Sequence, residues 1–220
     1  MPMHMQREIE RLKKMILSLS AVVEESVRKS VRSIESRNSA LAADVLASDV
    51  RIDQTEVDVE EECLKILALH QPVAIDLRYI VAVLKMNNDL ERIGDLAVNI
   101  AERTIYLCER APIPAPFDFD GMCHKTMAML QGSLDAMMNM DPGRARAVLA
   151  ADNEVDDINR QMYAKICGAM RRNPDHAEVL LSYLSAARSL ERIADSTTNI
   201  AEDVIYMVEG RIVRHGRGQE

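Results

Sequence analysis

The chain contains no tryptophan, and only two phenylalanines and five tyrosines among 220 residues. Glycine and proline are also few, at eight and seven. β-Sandwiches and barrels need frequent turns and aromatic or β-branched strands, so this composition argues against both. No apolar run reaches membrane-spanning length and no signal peptide is recognisable, so a reducing cytoplasm is the expected location. Cys63, Cys108, Cys123 and Cys167 form no Cys-x-x-Cys pair, which removes the usual zinc-site spacing. They fall mostly in apolar periodic segments and are expected to behave as small core residues. Positive charge is lacking as well. At a net charge of −8 the chain does not offer the basic surface that phosphate backbones require, so no nucleic-acid partner is expected. Only residues 211–220 are locally basic, through Arg211, Arg214, His215 and Arg217, and this tail is expected to be a solubilising terminus.

What the chain does contain is leucine, alanine, methionine, isoleucine, glutamate and arginine, in the proportions of long packed helices. Its most informative stretch runs from Leu90 to Tyr106, LERIGDLAVNIAERTIY, and returns at Leu190 to Tyr206 as LERIADSTTNIAEDVIY. Eleven of the seventeen positions match without a gap, so the chain is a tandem duplication. Glu91, Asp95, Asn99 and Glu102 persist as Glu191, Asp195, Asn199 and Glu202. At 3.6 residues per turn these four positions fall within about 80° of one helical face.

Read in order, a three-four spacing of Ile9, Leu12, Ile16, Leu19, Val23, Val27, Val31 and Ile34 predicts a first helix over 5–37, with Asn38 or Ser39 capping the next. A second helix is predicted over 40–69. One of its stripes reads Leu46, Val50, Asp53, Val57, Glu60, Leu64 and Leu67, which places Asp53 among positions expected to be apolar. Gln71-Pro72 ends it. A third helix over 74–109 carries the repeated stretch, with an apolar stripe of Val83, Met86, Leu90, Ile93, Ala97, Ile100 and Leu107 bordered by the acids. Three alternating prolines, Pro112, Pro114 and Pro116, make 111–120 the linker. Helices are then predicted over 121–140, 142–172 and 176–209. The expected fold class is all-α, with two tandem antiparallel three-helix bundles over 1–110 and 121–210. The methionines from Met127 to Met140 are expected as core filler.

Each half holds two acid pairs spaced by four: Asp49/Asp53 and Glu91/Asp95, then Asp152/Asp156 and Glu191/Asp195. Carboxylates at that spacing repel by a few tenths of a kcal/mol even in water. Facing pairs from neighbouring helices at about 4 Å would repel by on the order of 4 kcal/mol each at an effective dielectric near 20. Shared protons or a bound cation relieve such repulsion, and oxygen ligands suit a hard divalent or trivalent ion. These eight residues are the candidate metal ligands, against the plainer reading of solvated acidic faces. A ferritin-like di-iron enzyme would require Glu-x-x-His, and none of His4, His70, His124, His176 or His215 has a glutamate three residues before it. No P-loop or recognisable Ser-His-Asp context occurs either, so no catalytic residues are assigned and an enzyme is not expected. Two alternatives stay open: a carboxylate-bridged metalloenzyme, such as an oxidase or phosphohydrolase, and a metal-free helical scaffold.

The segment HQPVAIDLR at 70–78, followed by NDLERIGDLAVNIAE at 88–102 and its second copy, resembles the PhoU family of phosphate-system regulators. The similarity covers essentially the whole chain. It implies a cytoplasmic, often dimeric protein built of two repeated three-helix bundles. It further implies a negative regulator of the phosphate-starvation response, acting between a phosphate ABC transporter and a membrane sensor histidine kinase. Membrane association is expected only through those partners. In some members iron, zinc or similar ions, as clusters in some cases, occupy the repeated acidic motifs. Those motifs map here onto Glu91, Asp95, Glu191 and Asp195, with Asp49, Asp53, Asp152 and Asp156 opposite. Two departures stand out. Ser196 follows Asp195 where many members have histidine, so a weaker second site is expected, and Gly94 becomes Ala194 in the second copy, which is expected to reduce close helix approach there.

Overall fold

The structure is a computed structural model and describes residues 3–213. The predicted basic contributions of Arg214, His215 and Arg217 lie outside the described residues. Six long helices account for nearly all of it: α1 (Met3–Ser36), α2 (Ser39–His70), α3 (Ala74–Cys108), α4 (Phe119–Asn139), α5 (Pro142–Arg172) and α6 (Ala177–Glu209). Among the described residues there is no strand.

The helix starts follow local chemistry. Asn38 caps α2 by accepting from the Ala40 and Leu41 amides at 3.0 and 3.2 Å. Asp118 caps α4 through Gly121, and Asp141 caps α5 through Gly143 and Arg144, with Pro142 at the first helical position. Where α3 ends, the Arg37 guanidinium donates to the carbonyls of Leu107 and of Arg110 just beyond it. Helix bounds differ from the sequence reading by at most two residues, and two of the differences have a clear local cause. Asp118 supplies a cap inside the expected linker, so α4 begins at Phe119. His176 belongs to a short 3₁₀ turn, Pro174–His176, which precedes α6.

α1 buries the predicted stripe from Leu12 to Ile34. Four serines, Ser20, Ser26, Ser30 and Ser33, are buried with it, and Ser33 meets Thr104 of α3 at 3.0 Å. Thr104 therefore interrupts an apolar stripe without leaving its hydroxyl unsatisfied. The core is one continuous cluster drawing on all six helices. α3 and α6 pack against each other along the centre of the molecule and run antiparallel: Lys85 reaches Asp203 at 3.3 Å, and Asp89 accepts from Asn199 at 3.1 Å. The stretch repeated in the sequence thus supplies both the middle of each half and the seam between halves. Phe119 packs edge-on against Phe117 and Tyr183, tying the linker to α6. Cys63 and Cys123 are buried as expected, whereas Cys108 is half-buried and Cys167 is exposed.

The expected stripe of α2 is not its core face. The buried apolar positions are Ala42, Val45, Ile52, Val59, Cys63 and Ile66, with Glu62 buried among them. Val50, Val57 and Leu64 are 73%, 44% and 54% exposed, and Asp53 is exposed beside them. Two apolar stripes compete on this helix, and the one facing α1 and α3 wins the core.

Candidate functional site

α2 and α3 pack side by side and antiparallel, which brings two i,i+4 pairs within electrostatic reach of each other across one groove. Asp49 is half-buried, and its carboxyl is held above the usual aspartate range by burial first, then by the charges of Asp53 and Asp95. Glu91 is raised by burial, then by Asp95, Glu56, Asp53 and Asp49. Each of the four predicted acids of the first half therefore lies within electrostatic reach of residues on the opposite helix. Oδ1 of Asp49 is enclosed with no hydrogen-bond partner.

Glu56 was not among the predicted residues, yet it belongs to this cluster. Its carboxyl is raised by burial, then by Glu60 and Asp53. Buried Asn87 of α3 donates to the Glu56 carbonyl and to Oε1, both at 3.0 Å. Glu56 lies three residues after Asp53, one turn along the same helix face, which is the signal that could have found it.

The second cluster repeats the arrangement with different neighbours. Asp152 is pushed up to about 6 by burial, then by Asp156 and Asp195. Glu191 is raised by burial, Asp195 and Asp156, with Arg188 acting in the opposite direction. Asp195 is raised by burial and Asp156, while Arg92 and Arg192 pull it down. Arg92 belongs to the first half and acts across the α3–α6 seam. At the position matching Glu56 stands Asn159, whose amide donates to Glu191 Oε1 at 3.2 Å. The second cluster thus has one carboxylate fewer and more compensating cations. Ser196 is fully buried although Asp195 beside it is exposed, which puts the residue after the aspartate on the packed side of α6.

The donor set is all oxygen in both clusters, and repulsion plus an enclosed, unpartnered carboxylate oxygen fit a cation in the groove. The grooves are open, however. Among the described residues no three His, Cys, Asp or Glu side chains converge closely enough to enclose a metal ion. Two of the histidines are engaged elsewhere: His70 meets Glu8 at 2.6 Å, and His124 Nδ1 lies 2.8 Å from the Asp120 carbonyl. Asn199 joins the seam through Asp89, and Glu102 pairs with Arg103.

Among the described residues no helix is long and apolar enough to cross a membrane. The PhoU domain matches residues 16–104 and again 119–204. The chain is 37% identical over 209 residues to the phosphate-specific transport system accessory protein PhoU homolog of Pseudomonas aeruginosa, covering 94% of this chain and 86% of that protein. It is 34% identical to the PhoU homolog 1 of Thermotoga maritima, over 94% and 90% of the two chains. The crystal structure of PhoU from Pseudomonas aeruginosa superimposes with a TM-score of 0.90 at 36% identity, covering 94% of this chain and 99% of that one. That of the phosphate transport system regulatory protein PhoU from Streptococcus pneumoniae gives 0.85 at 26%, over 95% and 99%. With the domain present twice and the relatives matched almost end to end, this chain belongs to the PhoU family.

Proposed function

We propose that this chain is a regulatory adaptor of phosphate homeostasis, and not an enzyme. The observation that carries the reading is the end-to-end match to relatives named phosphate-specific transport system accessory proteins. In this reading it works in the cytoplasm as a dimer, between a phosphate ABC transporter and a membrane sensor histidine kinase, and restrains the starvation response. Its contact with the membrane comes through those partners.

Asp49, Asp53, Glu91 and Asp95 in one half, and Asp152, Asp156, Glu191 and Asp195 in the other, would hold cations such as iron, zinc or another divalent ion. A bound cation supplies charge neutralisation. The carboxylates fix the spacing of α2 against α3 and of α5 against α6, and they lose their mutual repulsion when neutralised. A metal-free scaffold is the second reading, and the open spacing of the carboxylates favours it. A melting temperature unchanged by chelator and by added metal would select it.

The regulatory reading is tested in the source organism. Deleting the gene should switch on a phosphate-starvation reporter in phosphate-replete medium, and the wild-type gene should silence it. An unchanged reporter would overturn the proposal.

A further inference from the structure

The exposed stripe of α2 has the spacing of a coiled-coil seam. Val50, Val57 and Leu64 recur every seven residues, and Leu46, Asp53, Glu60 and Leu67 fall between them at alternating steps of four and three. Val50, Val57 and Leu64 are largely open to solvent, while Leu46 and Leu67 pack partly against the core. The seam runs roughly 32 Å from Leu46 to Leu67 at 1.5 Å per residue. A surface helix has no intrinsic reason to keep apolar residues at three successive heptad positions facing water.

The duplication supplies an internal control. On α5 the positions matching Val50, Val57 and Leu64 are Asn153, Arg160 and Cys167, which do not continue an apolar seam. The charge differs too. α2 carries eight acids against two bases, whereas α5 carries four acids against six bases. A requirement of the fold would have kept both helices alike, so the α2 seam serves something outside the three-helix unit.

We infer that the outer face of α2 is the docking surface for a basic amphipathic helix of a partner protein, whose apolar seam covers Val50, Val57 and Leu64 and whose lysines or arginines meet Asp53 and Glu60. A second copy of this chain is the poorer occupant, because two α2 faces would set acid against acid at the same seam. The docking needs no bound cation, but Asp53 also belongs to the first carboxylate cluster, so the binding is measured in chelator, where it stands or falls separately from the metal reading.

The test uses the full chain in chelator with a designed four-heptad peptide, leucine at its seam, lysine flanking and a single tryptophan. This protein has no tryptophan, so peptide fluorescence reports binding alone. Saturable binding is expected, weakened roughly tenfold or more by Val57→Glu/Leu64→Glu. Asn153→Glu/Cys167→Glu adds the same negative charge on α5 and should leave binding undiminished. Circular dichroism and melting establish that both variants fold. The inference is overturned by absence of saturable binding, by equal loss in both variants, or by full binding to the α2 variant. It is equally overturned by a wild-type dimer that the α2 variant dissolves, which would give the seam to a second copy.

Discussion

A Cβ placed on Gly94 would stand 3.0 Å from Cδ1 of Ile52 and 3.2 Å from its Cγ2, beside the first carboxylate cluster. In the second half the same place is taken by Ala194, and the residue matching Ile52 is Val155. The methyl gained on one helix is lost from the other, so α5 lies against α6 much as α2 lies against α3. The loss of glycine in the second copy therefore does not hold the helices apart.

This relationship predicts a coupling energy. Gly94→Ala crowds Ile52 but gains about 1 kcal/mol of helix propensity, so the single variant is expected near wild type. Ile52→Val alone should cost about 1 kcal/mol through lost packing. In the Gly94→Ala background that cost should largely vanish. A double-mutant cycle by urea unfolding measures the difference, and additive effects would contradict the packing assignment.

The seam between halves predicts a second outcome. Asp203 is almost fully buried and takes a hydrogen bond from Lys85, whose ammonium also lies 5.2 Å from the Tyr206 ring centre. Lys85→Met removes one cation that pairs with a buried carboxylate and should destabilise by about 2 kcal/mol, after discounting for the half-exposed lysine. Thermal unfolding should show a drop of several degrees.

The raised carboxyls predict a pH dependence. Burial and mutual repulsion raise Asp49, Glu56, Glu91, Glu191 and Asp195, and take Asp152 to about 6. The folded state then binds more protons than the unfolded state between the ordinary carboxyl range and those raised values. Their stabilisation is full below that window and is lost as pH rises through it. In chelator, the melting temperature should rise on going from pH 7.5 to 5.5, and Asp152→Asn should flatten the rise. Glu8, held low by its hydrogen bond to His70, acts in the opposite sense only as pH falls through and below the ordinary glutamate range.

Unequal clusters predict unequal affinity. Glu56 adds a carboxylate to the first, while Asn159 and the nearby Arg188, Arg192 and Arg92 reduce the negative field of the second. Calorimetric titration with a divalent ion should resolve a tighter and a weaker site. Glu56→Asn should weaken the tighter one, and Asn159→Glu should strengthen the other.

Much of this was legible in the sequence, because proline, asparagine and aspartate at Pro72, Asn38, Asp141 and Pro142 punctuate the helices in ways backbone chemistry dictates. The repeat located the acids. α2 was misread because Val45, Ile52 and Val59 compete with Val50, Val57 and Leu64, and spacing alone does not say which stripe meets a neighbour. Glu56 escaped although its spacing from Asp53 signals it, because its match in the second half is Asn159 and the repeat therefore does not mark it. The hydrogen bonds from Asn87 that orient it form only in the folded chain. Ser196 is buried on the packed side of α6, and Asn159, which donates to Glu191, is a further difference at the second cluster that the repeat pattern did not single out.

Whether the carboxylates hold cations is read most directly by elemental analysis of protein purified without chelator, alongside Asp95→Ala/Asp195→Ala. Co-purifying metal is expected in the wild type, and a clear loss in the variant. Equal metal content in both would contradict the assignment.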